Sequence, residues 1–412
     1  MLVVSLSKLG VEKKLVSPRI ALVSEEYPPY HQGGTGTFCY NLANLLSKEK
    51  IAVTVFCGKS AKVQRKQIND YLDIVRLPAL DFPPRYVWFQ LQNLSNISKC
   101  MKDYDVIHSI SPEVSPICVY LKNKLKKPLI TSYHGTTRQE LVAFINSPTS
   151  FWSSYDVGFH VLEQPLYDLC NRISIKASDH IITCSKTVLA ELKSSYKNLD
   201  PKKASVIYNG IDLNEIQQIR KNYKRLDKPK EIVLIHYGRL IWAKGTVYTI
   251  KAFAMLLPKY PNLKLKIYGK GPLQNKMQSL VTRLGLNSQI QILGQIPRNR
   301  LLEEIIAADV AVLPSLREAQ PISVLEAMAI GKPVVVFNLP FAREYIKDSV
   351  DGMLAEPSNI KDLAEKINMV LSNTQLRNKL STNARKQILQ NHNWDSLIKK
   401  YIDIYGQLAS NL

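Results

Sequence analysis

The sequence predicts an α/β protein made of two doubly wound parallel sheets that face one another across a cleft. Three features of the 412 residues carry this reading. Short, β-branched, largely apolar runs alternate with longer amphipathic stretches, the alternation begins again past the middle, and a polar, basic, Pro-containing segment separates the two series. A run apolar at every position suits a strand covered on both faces, as in a parallel sheet flanked by helices. Strand–helix alternation is the sequence pattern of such sheets.

In the first series RIALVS (19–24), IAVTVFC (51–57), DIVRL (73–77), DVIHSI (105–110), PLITSY (128–133) and HIITCS (180–185) read as buried strands. Helical patterns such as TFCYNLANLLSK and SPICVYLKNKLKK lie between them. The second series has strands EIVLIHYG (231–238), LKLKIYG (263–269), QIQILG (289–294), DVAVLP (309–314) and PVVVFN (333–338). Its helices include TVYTIKAFAMLLPKY and PLQNKMQSLVTRLG, the latter ending on a Gly suited to a helix stop. EIQQIRKNYKRLDKPKE reads as the linker. These boundaries give an extension at 1–18, Rossmann-like domains at 19–215 and 216–393, and a terminal helix at 394–412 packing back across the domain junction. Ligands of such folds bind at the carboxyl ends of the strands.

Hydrophobic content of 45% and charged content of 22% exclude a disordered chain. No stretch approaches the roughly 18 consecutive apolar residues of a membrane-spanning helix. The start, MLVVSLSKLGVEKKLVSPRIALVS, lacks a long apolar core with a cleavage site, so a cytoplasmic location is expected. Six scattered cysteines without a CxxC pair speak against a zinc site or a disulfide framework, and all six read as small buried residues. The net charge of +21, basic in both halves and more so in the second, favours anionic partners: a sugar nucleotide, nucleic acid or an anionic membrane.

Four places have the residue types for chemistry. In EEYPPYHQGGTGTFCYNL, Gly33, Gly34 and Gly36 precede a helix and permit positive φ, giving a candidate phosphate cradle without the GK[ST] or GxGxxG signatures. In YGRLIWAKG, Arg239 and Lys244 follow a strand and form a candidate diphosphate clamp, or two solvated side chains. In SLREAQPISVLEAMAI, Glu318 lies on the loop after a strand. Glu326 follows Ser323 by three residues and is either a ribose ligand or the partner of Ser323 in a helix capping box. His134-Gly135 follows PLITSY at the carboxyl end of the other sheet. Asp103 and Asp105 form a DxD that reads as a strand edge, and no metal is implied.

The order of these motifs (GGTG, HG, DHIITCS, NGID at 209–212, GRLIWAKG, and E-x7-E before AMAIGKPVV) resembles glycosyltransferase family 4, whose members are retaining enzymes of the two-Rossmann GT-B fold. The resemblance runs from about residue 19 to the final helix. It implies transfer of a hexosyl group from a UDP- or GDP-linked sugar to a glycan or lipid-linked acceptor, without metal or cofactor. Arg239 and Lys244 would hold the diphosphate and Glu326 the ribose. Glu318 would hold hydroxyls of the transferred sugar, and backbone N–H groups around Pro321, Ile322 and Ser323 would approach the phosphates. Gly33 and Gly34 would close over the diphosphate, and His134 would lie by the transferred sugar and the acceptor. The first domain would take the acceptor and the second the nucleotide-sugar. Ala319, Gln320 and Pro321 depart from the Gly-Phe or Pro-Phe-Gly of many relatives, which leaves the donor sugar open.

Aromatic-rich segments at 82–94 and 141–167 are either ordinary packing or a surface for a membrane or lipid-linked acceptor, which would make the protein peripheral at the membrane. A nucleic-acid-binding protein would not explain carboxylates beside a diphosphate clamp, so nucleic acid is not expected. An epimerase or another sugar-nucleotide enzyme of the same fold is the alternative. A phosphorylase would need a pyridoxal-phosphate lysine, and a scaffold would not keep Arg239, Lys244, Glu318 and Glu326 together.

Overall fold

A computed structural model describes residues 17–30, 34–60, 62–80, 82–145, 157–223 and 231–410. The first sheet comprises β1 (Ile20–Ser24), β2 (Val53–Ser60), β3 (Gln64–Asn69), β4 (Leu72–Pro78), β5 (Val106–Ser109), β6 (Leu129–Tyr133), β7 (His180–Thr183) and β8 (Ala204–Val206), in the order β3-β4-β2-β1-β5-β6-β7-β8. The second comprises β9 (Ile232–Tyr237), β10 (Leu263–Tyr268), β11 (Ile290–Gly294), β12 (Val310–Val312), β13 (Val334–Phe337) and β14 (Met353–Ala355), in the order β11-β10-β9-β12-β13-β14. These are the two doubly wound sheets expected. Strand order turns back once in each, at β1, which pairs with β2 and β5, and at β9, which pairs with β10 and β12. Such switch points open a crevice at the carboxyl end of the strands.

Every pairing is parallel except that of β3 with β4. Strand β3, QRKQIN, is exposed throughout. It has no apolar face for periodicity to reveal, and its charges suit a sheet edge. The three-residue strands β8 and β14 were also not expected. The expected glycine stop holds: Gly285 has a φ of +70°, as a helix C-terminus requires, and Gly331, with φ +82°, ends the helix Ile322–Ile330 in the same way.

Two expectations are corrected. The supposed linker begins as a helix, Leu213–Asn222, capped by the Asp212 carboxylate accepting from the Glu215 N–H at 2.9 Å. Its Ile216 is buried in the core of the second sheet, and residues 224–230 lie outside the described ones. Among the cysteines five are buried, but Cys100 is exposed at the end of the helix Arg85–Cys100.

The final helix, Trp394–Ser410, returns to the first half, where Trp394, Leu397, Ile398, Tyr401 and Tyr405 join the core beside β1 and the helix Gly34–Lys48. Its Tyr405 hydroxyl bonds His108 Nδ1 at 2.7 Å, while His108 Nε2 meets Ser132 Oγ at 2.8 Å. Burial lowers the His108 pKa to about 3, so the ring is neutral. Gly210 explains part of the NGID motif: a Cβ there would lie 2.5 Å from the Trp394 indole.

Candidate active site

At the switch point of the second sheet the chain leaves β9 through Gly238, passes Arg239, and turns at Trp242–Lys244 into the helix Thr246–Leu256. The turn is pressed against the end of β12. Gly245 has φ +65°, and a Cβ on it would stand 2.0 Å from the Pro314 carbonyl oxygen. The Leu316 N–H donates to the Ala243 carbonyl at 2.7 Å, tying the two loops together. Behind them His236 is buried on β9, its Nδ1 bonded to the Val312 carbonyl at 2.9 Å and its Nε2 to Thr246 Oγ1 at 2.8 Å. The carbonyl can only accept, so Nδ1 carries the proton and Nε2 receives the hydroxyl's hydrogen. Burial holds this imidazole neutral, with a pKa of about 4.

This packing brings Lys244 and Glu318 together. Lys244 Nζ lies 2.5 Å from Glu318 Oε1, which also accepts from Ser315 Oγ at 2.8 Å. Both side chains are largely covered, at 19% and 11% exposure. The ammonium has three protons to donate, so the ion pair orients Lys244 and leaves it able to donate further. Burial raises the pKa of the Glu26 carboxyl in the first half, and exposed Arg239 lies near enough to offset part of that rise.

Glu326 is buried on the helix Ile322–Ile330. The capping-box reading does not hold. Pro321 is the N-cap residue, with no side-chain cap, and Ser323 is already within the helix. Glu326 is instead bound by Arg298, whose Nη1 lies 2.5 Å from Oε1 and whose Nε donates to Glu215 at 2.9 Å. Burial disfavours the Arg298 cation, but Glu326 and Glu215 outweigh it and hold its pKa above the usual value. The Tyr237 hydroxyl donates to the Ser323 carbonyl at 2.5 Å and fixes the helix start against β9. The helix thus starts at Pro321–Ser323 without a side-chain cap, a place of partial positive charge; Pro321 has no N–H, and that of Ile322 donates to the Gln320 carbonyl at 2.9 Å. Arg298, whose only sequence signal is its place soon after β11, at the start of the helix Arg298–Ala307, was missed.

In the first half His134 follows β6 with its ring 4.3 Å from that of Phe38. Burial lowers its pKa to about 4, against a hydrogen bond to the Ile110 backbone, and Nε2 has no partner among the described residues. The adjoining Gly135 faces Ala319, which a Cβ would approach to 3.7 Å. The structure therefore sets His134-Gly135 opposite the Glu318 loop. Gly34 is the first residue of the helix Gly34–Lys48, and a Cβ on it would meet nothing within 4 Å. Gly34 and Gly36 both lie within this helix; what Gly34 supplies is open space. Gly33 lies outside the described residues.

Three contacts between the halves were not foreseen. Arg317 Nη2 meets Glu191 at 2.6 Å, and the same Glu191 oxygen accepts from Thr136 Oγ1 at 2.6 Å. Glu344 accepts from the N–H groups of Lys186 and Thr187, at 2.6 and 3.0 Å, at the start of the helix Lys186–Ser195. Gln320, 6% exposed, donates to the Asn209 carbonyl at 3.0 Å and accepts from the Asn209 N–H at 2.7 Å. Its amide is committed to the backbone where the chain passes between the sheets, not to a ligand.

Two facing Rossmann-like sheets with cations, carboxylates and a helix N-terminus gathered at one switch point define the GT-B class of glycosyltransferases. The glycosyl transferases group 1 model matches residues 217–387 and the glycosyltransferase family 4 model residues 32–215. The chain belongs to glycosyltransferase family 4 and is a glycosyltransferase. An uncharacterized glycosyltransferase of Methanocaldococcus jannaschii is 29% identical over 94% of this chain and 97% of its own length. The N,N'-diacetylbacillosaminyl-diphospho-undecaprenol alpha-1,3-N-acetylgalactosaminyltransferase of Campylobacter jejuni is 31% identical over 46% of this chain and 48% of its own. The Anabaena protein HepE, solved with UDP and glucose, aligns with a TM-score of 0.73 at 18% identity, over 95% of this chain and all of the other.

Proposed function

We propose that this glycosyltransferase moves a hexosyl group, with retention of anomeric configuration and without a metal ion, from a UDP- or GDP-linked sugar to a glycan or lipid-linked acceptor. The observation that carries the donor half is the joining of Lys244, Glu318 and an uncapped helix N-terminus at one switch point, beside exposed Arg239. On this reading the diphosphate lies between Arg239, Lys244 and the N–H groups around Pro321–Ser323, and these positive groups stabilise the charge that develops as it leaves. Glu318 receives hydroxyls of the sugar. Glu326, set by Arg298, receives the ribose hydroxyls. The acceptor hydroxyl attacks from the face the diphosphate departs, and the leaving phosphate oxygen takes its proton, so no protein nucleophile is required. Neutral His134 lies beside the transferred sugar and accepts a hydrogen bond at Nε2, while Gly33 and Gly34 lie over the diphosphate.

HepE's bound UDP supports a uridine donor, and the Campylobacter relative's name supports a lipid-linked acceptor. Exposed apolar side chains around the first half, among them Phe82, Leu91, Val161 and Leu162, fit a peripheral contact with an anionic membrane on its cytoplasmic face, in keeping with the net charge of +21. No helix among the described residues is long and apolar enough to cross a membrane.

The test is a thermal-shift and hydrolysis screen against UDP-glucose, UDP-N-acetylglucosamine, UDP-galactose and GDP-mannose. One donor should raise the melting temperature and release its nucleotide diphosphate with an acceptor present. No shift and no release with any nucleotide-sugar would refute the donor reading. Conversion of the donor without an acceptor product would favour an epimerase. Flotation with anionic liposomes at low salt tests the membrane contact, which absence of binding would refute.

A further inference from the structure

The first sheet has a switch point of its own, and its chemistry is opposite in sign. Between the ends of β1 and β5 lies a cavity of about 110 Å³, whose lining includes Glu25, Glu26 and Glu113 with Thr35, Ser111 and Tyr86. In a chain of net charge +21, three carboxylates gathered at a sheet's binding edge are a marked local reversal.

The walls are held by hydrogen bonds. Ser24 Oγ donates to the Glu26 carbonyl at 2.7 Å, and the Gly36 N–H reaches the Glu26 carboxylate at 3.4 Å. The buried Gln90 amide donates to the Glu113 carbonyl at 3.1 Å and accepts from the Ile117 N–H at 3.0 Å. Burial pushes both the Glu26 and Glu113 carboxyls above their ordinary range, and the charge of Glu26 adds to the rise at Glu113. Arg85 stands near Glu25 at 3.6 Å.

A second observation points to a ligand. Tyr86 lines the cavity at 4% exposure, yet its hydroxyl has no hydrogen-bond partner among the described residues. Buried hydroxyls ordinarily find one. A metal is not what the cavity fits, since no three His, Cys, Asp or Glu side chains among the described residues converge as a metal-binding group. Carboxylates and a phenol suit a ligand that offers O–H or N–H groups. The space admits a few water-sized groups, the substituents along one edge of a sugar ring. Phosphates and carboxylates would meet like charge here.

We propose that this crevice docks the acceptor by its hydroxyl or amino groups, so that the acceptor presents an uncharged or amino-bearing sugar there, not a phosphorylated or carboxylated one. The proposal rests on the glycosyltransferase reading above. The cleft then sorts its substrates by sign, with the donor diphosphate on the cationic wall of the second sheet and the acceptor's proton donors on the acidic wall of the first.

Ligand-observed NMR titration of the full chain at neutral pH tests it, with glucosamine, glucose, glucuronate and glucose 6-phosphate as probes. Glucosamine and glucose should bind, and the two anions at least about tenfold more weakly. Tyr86→Phe and Glu113→Gln should each weaken glucosamine binding several-fold, circular dichroism confirming that each is folded; should one fail to fold, the other carries the test. Equal binding of glucuronate and glucosamine, or unaltered glucosamine binding in the folded variants, would overturn the proposal. So would an absence of sugar binding by protein that binds UDP or GDP. Failure to bind any nucleotide would instead strike the donor reading, which this titration does not depend on.

Discussion

Gln320 is where the sequence and the structure give different accounts of one residue, and its replacement separates them. As a departure from the family pattern just after Glu318, it reads as a determinant of the donor sugar. In the structure its amide makes two hydrogen bonds to the backbone of Asn209 and is 6% exposed. Gln320→Ala would leave the Asn209 N–H and carbonyl without those partners. Each buried group left unpaired costs about 1–3 kcal/mol. Asn209 is only half-buried, so water replaces part of the loss, and about 2 kcal/mol is expected for the pair. At roughly 2–4 °C per kcal/mol for a domain of this size, the melting temperature should fall by about 4–8 °C. The assay is a thermal melt of both proteins beside the donor screen. The order of donor preference should be unchanged, because the amide does not face the sugar. A variant with wild-type stability and a switched donor would refute the structural role of the Gln320–Asn209 hydrogen bonds and restore the sequence reading.

Lys244→Ala removes the cation bound to Glu318 and should lower turnover by about 10²–10³-fold, the usual loss for a preorganised donor of charge stabilisation; kinetics like those of wild type would remove Lys244 from the diphosphate site. Glu326→Gln keeps the shape but not the charge, and donor affinity should drop about tenfold by calorimetry. No helix cap is lost in that variant, so a change in melting temperature with unaltered affinity would mean that Glu326 serves only to hold Arg298. The pH dependence of stability follows from four buried imidazoles. His108 is lowered to about 3, and His134, His236 and His392 to about 4, burial being the chief cause. The unfolded chain binds these protons near pH 6.5 and the native one does not. Stability is therefore complete above pH 6.5 and falls toward pH 4, by up to about 1.4 kcal/mol per pH unit for each ring. Raised carboxyls such as Glu26 and Glu113 act in the opposite sense. Denaturant titrations between pH 4 and 8 should show the net decline on acidification, and a flat profile would contradict neutral buried rings.

The sequence by itself determined the two doubly wound sheets: strands buried on both faces must be largely apolar, as β1, β2, β9 and β13 are, and the partly exposed β4, β10 and β11 were legible from their β-branched runs between helical stretches. It determined the positions of Arg239, Lys244, Glu318 and His134 at strand ends, because a strand's end is where its apolar run stops. It also carried the family, through the order and spacing of its motifs. It did not show β3, whose exposed face leaves no apolar pattern, or the helix at Leu213–Asn222, whose polar surface imitates a linker. Between a capping box and a ligand at Glu326 it gave no decision, because spacing is the same in both; the register of the helix, with Pro321 as its N-cap residue, removed the capping box. The partners of these residues came only from the tertiary structure. Arg298 and Glu326 are 28 residues apart, Lys244 and Glu318 are 74 apart, and Gln320 and Asn209 are 111 apart. The first two are set by the order of strands within the second sheet, which brings distant loops to one edge, and the third by how the two halves meet; no local pattern of apolar and polar residues records either.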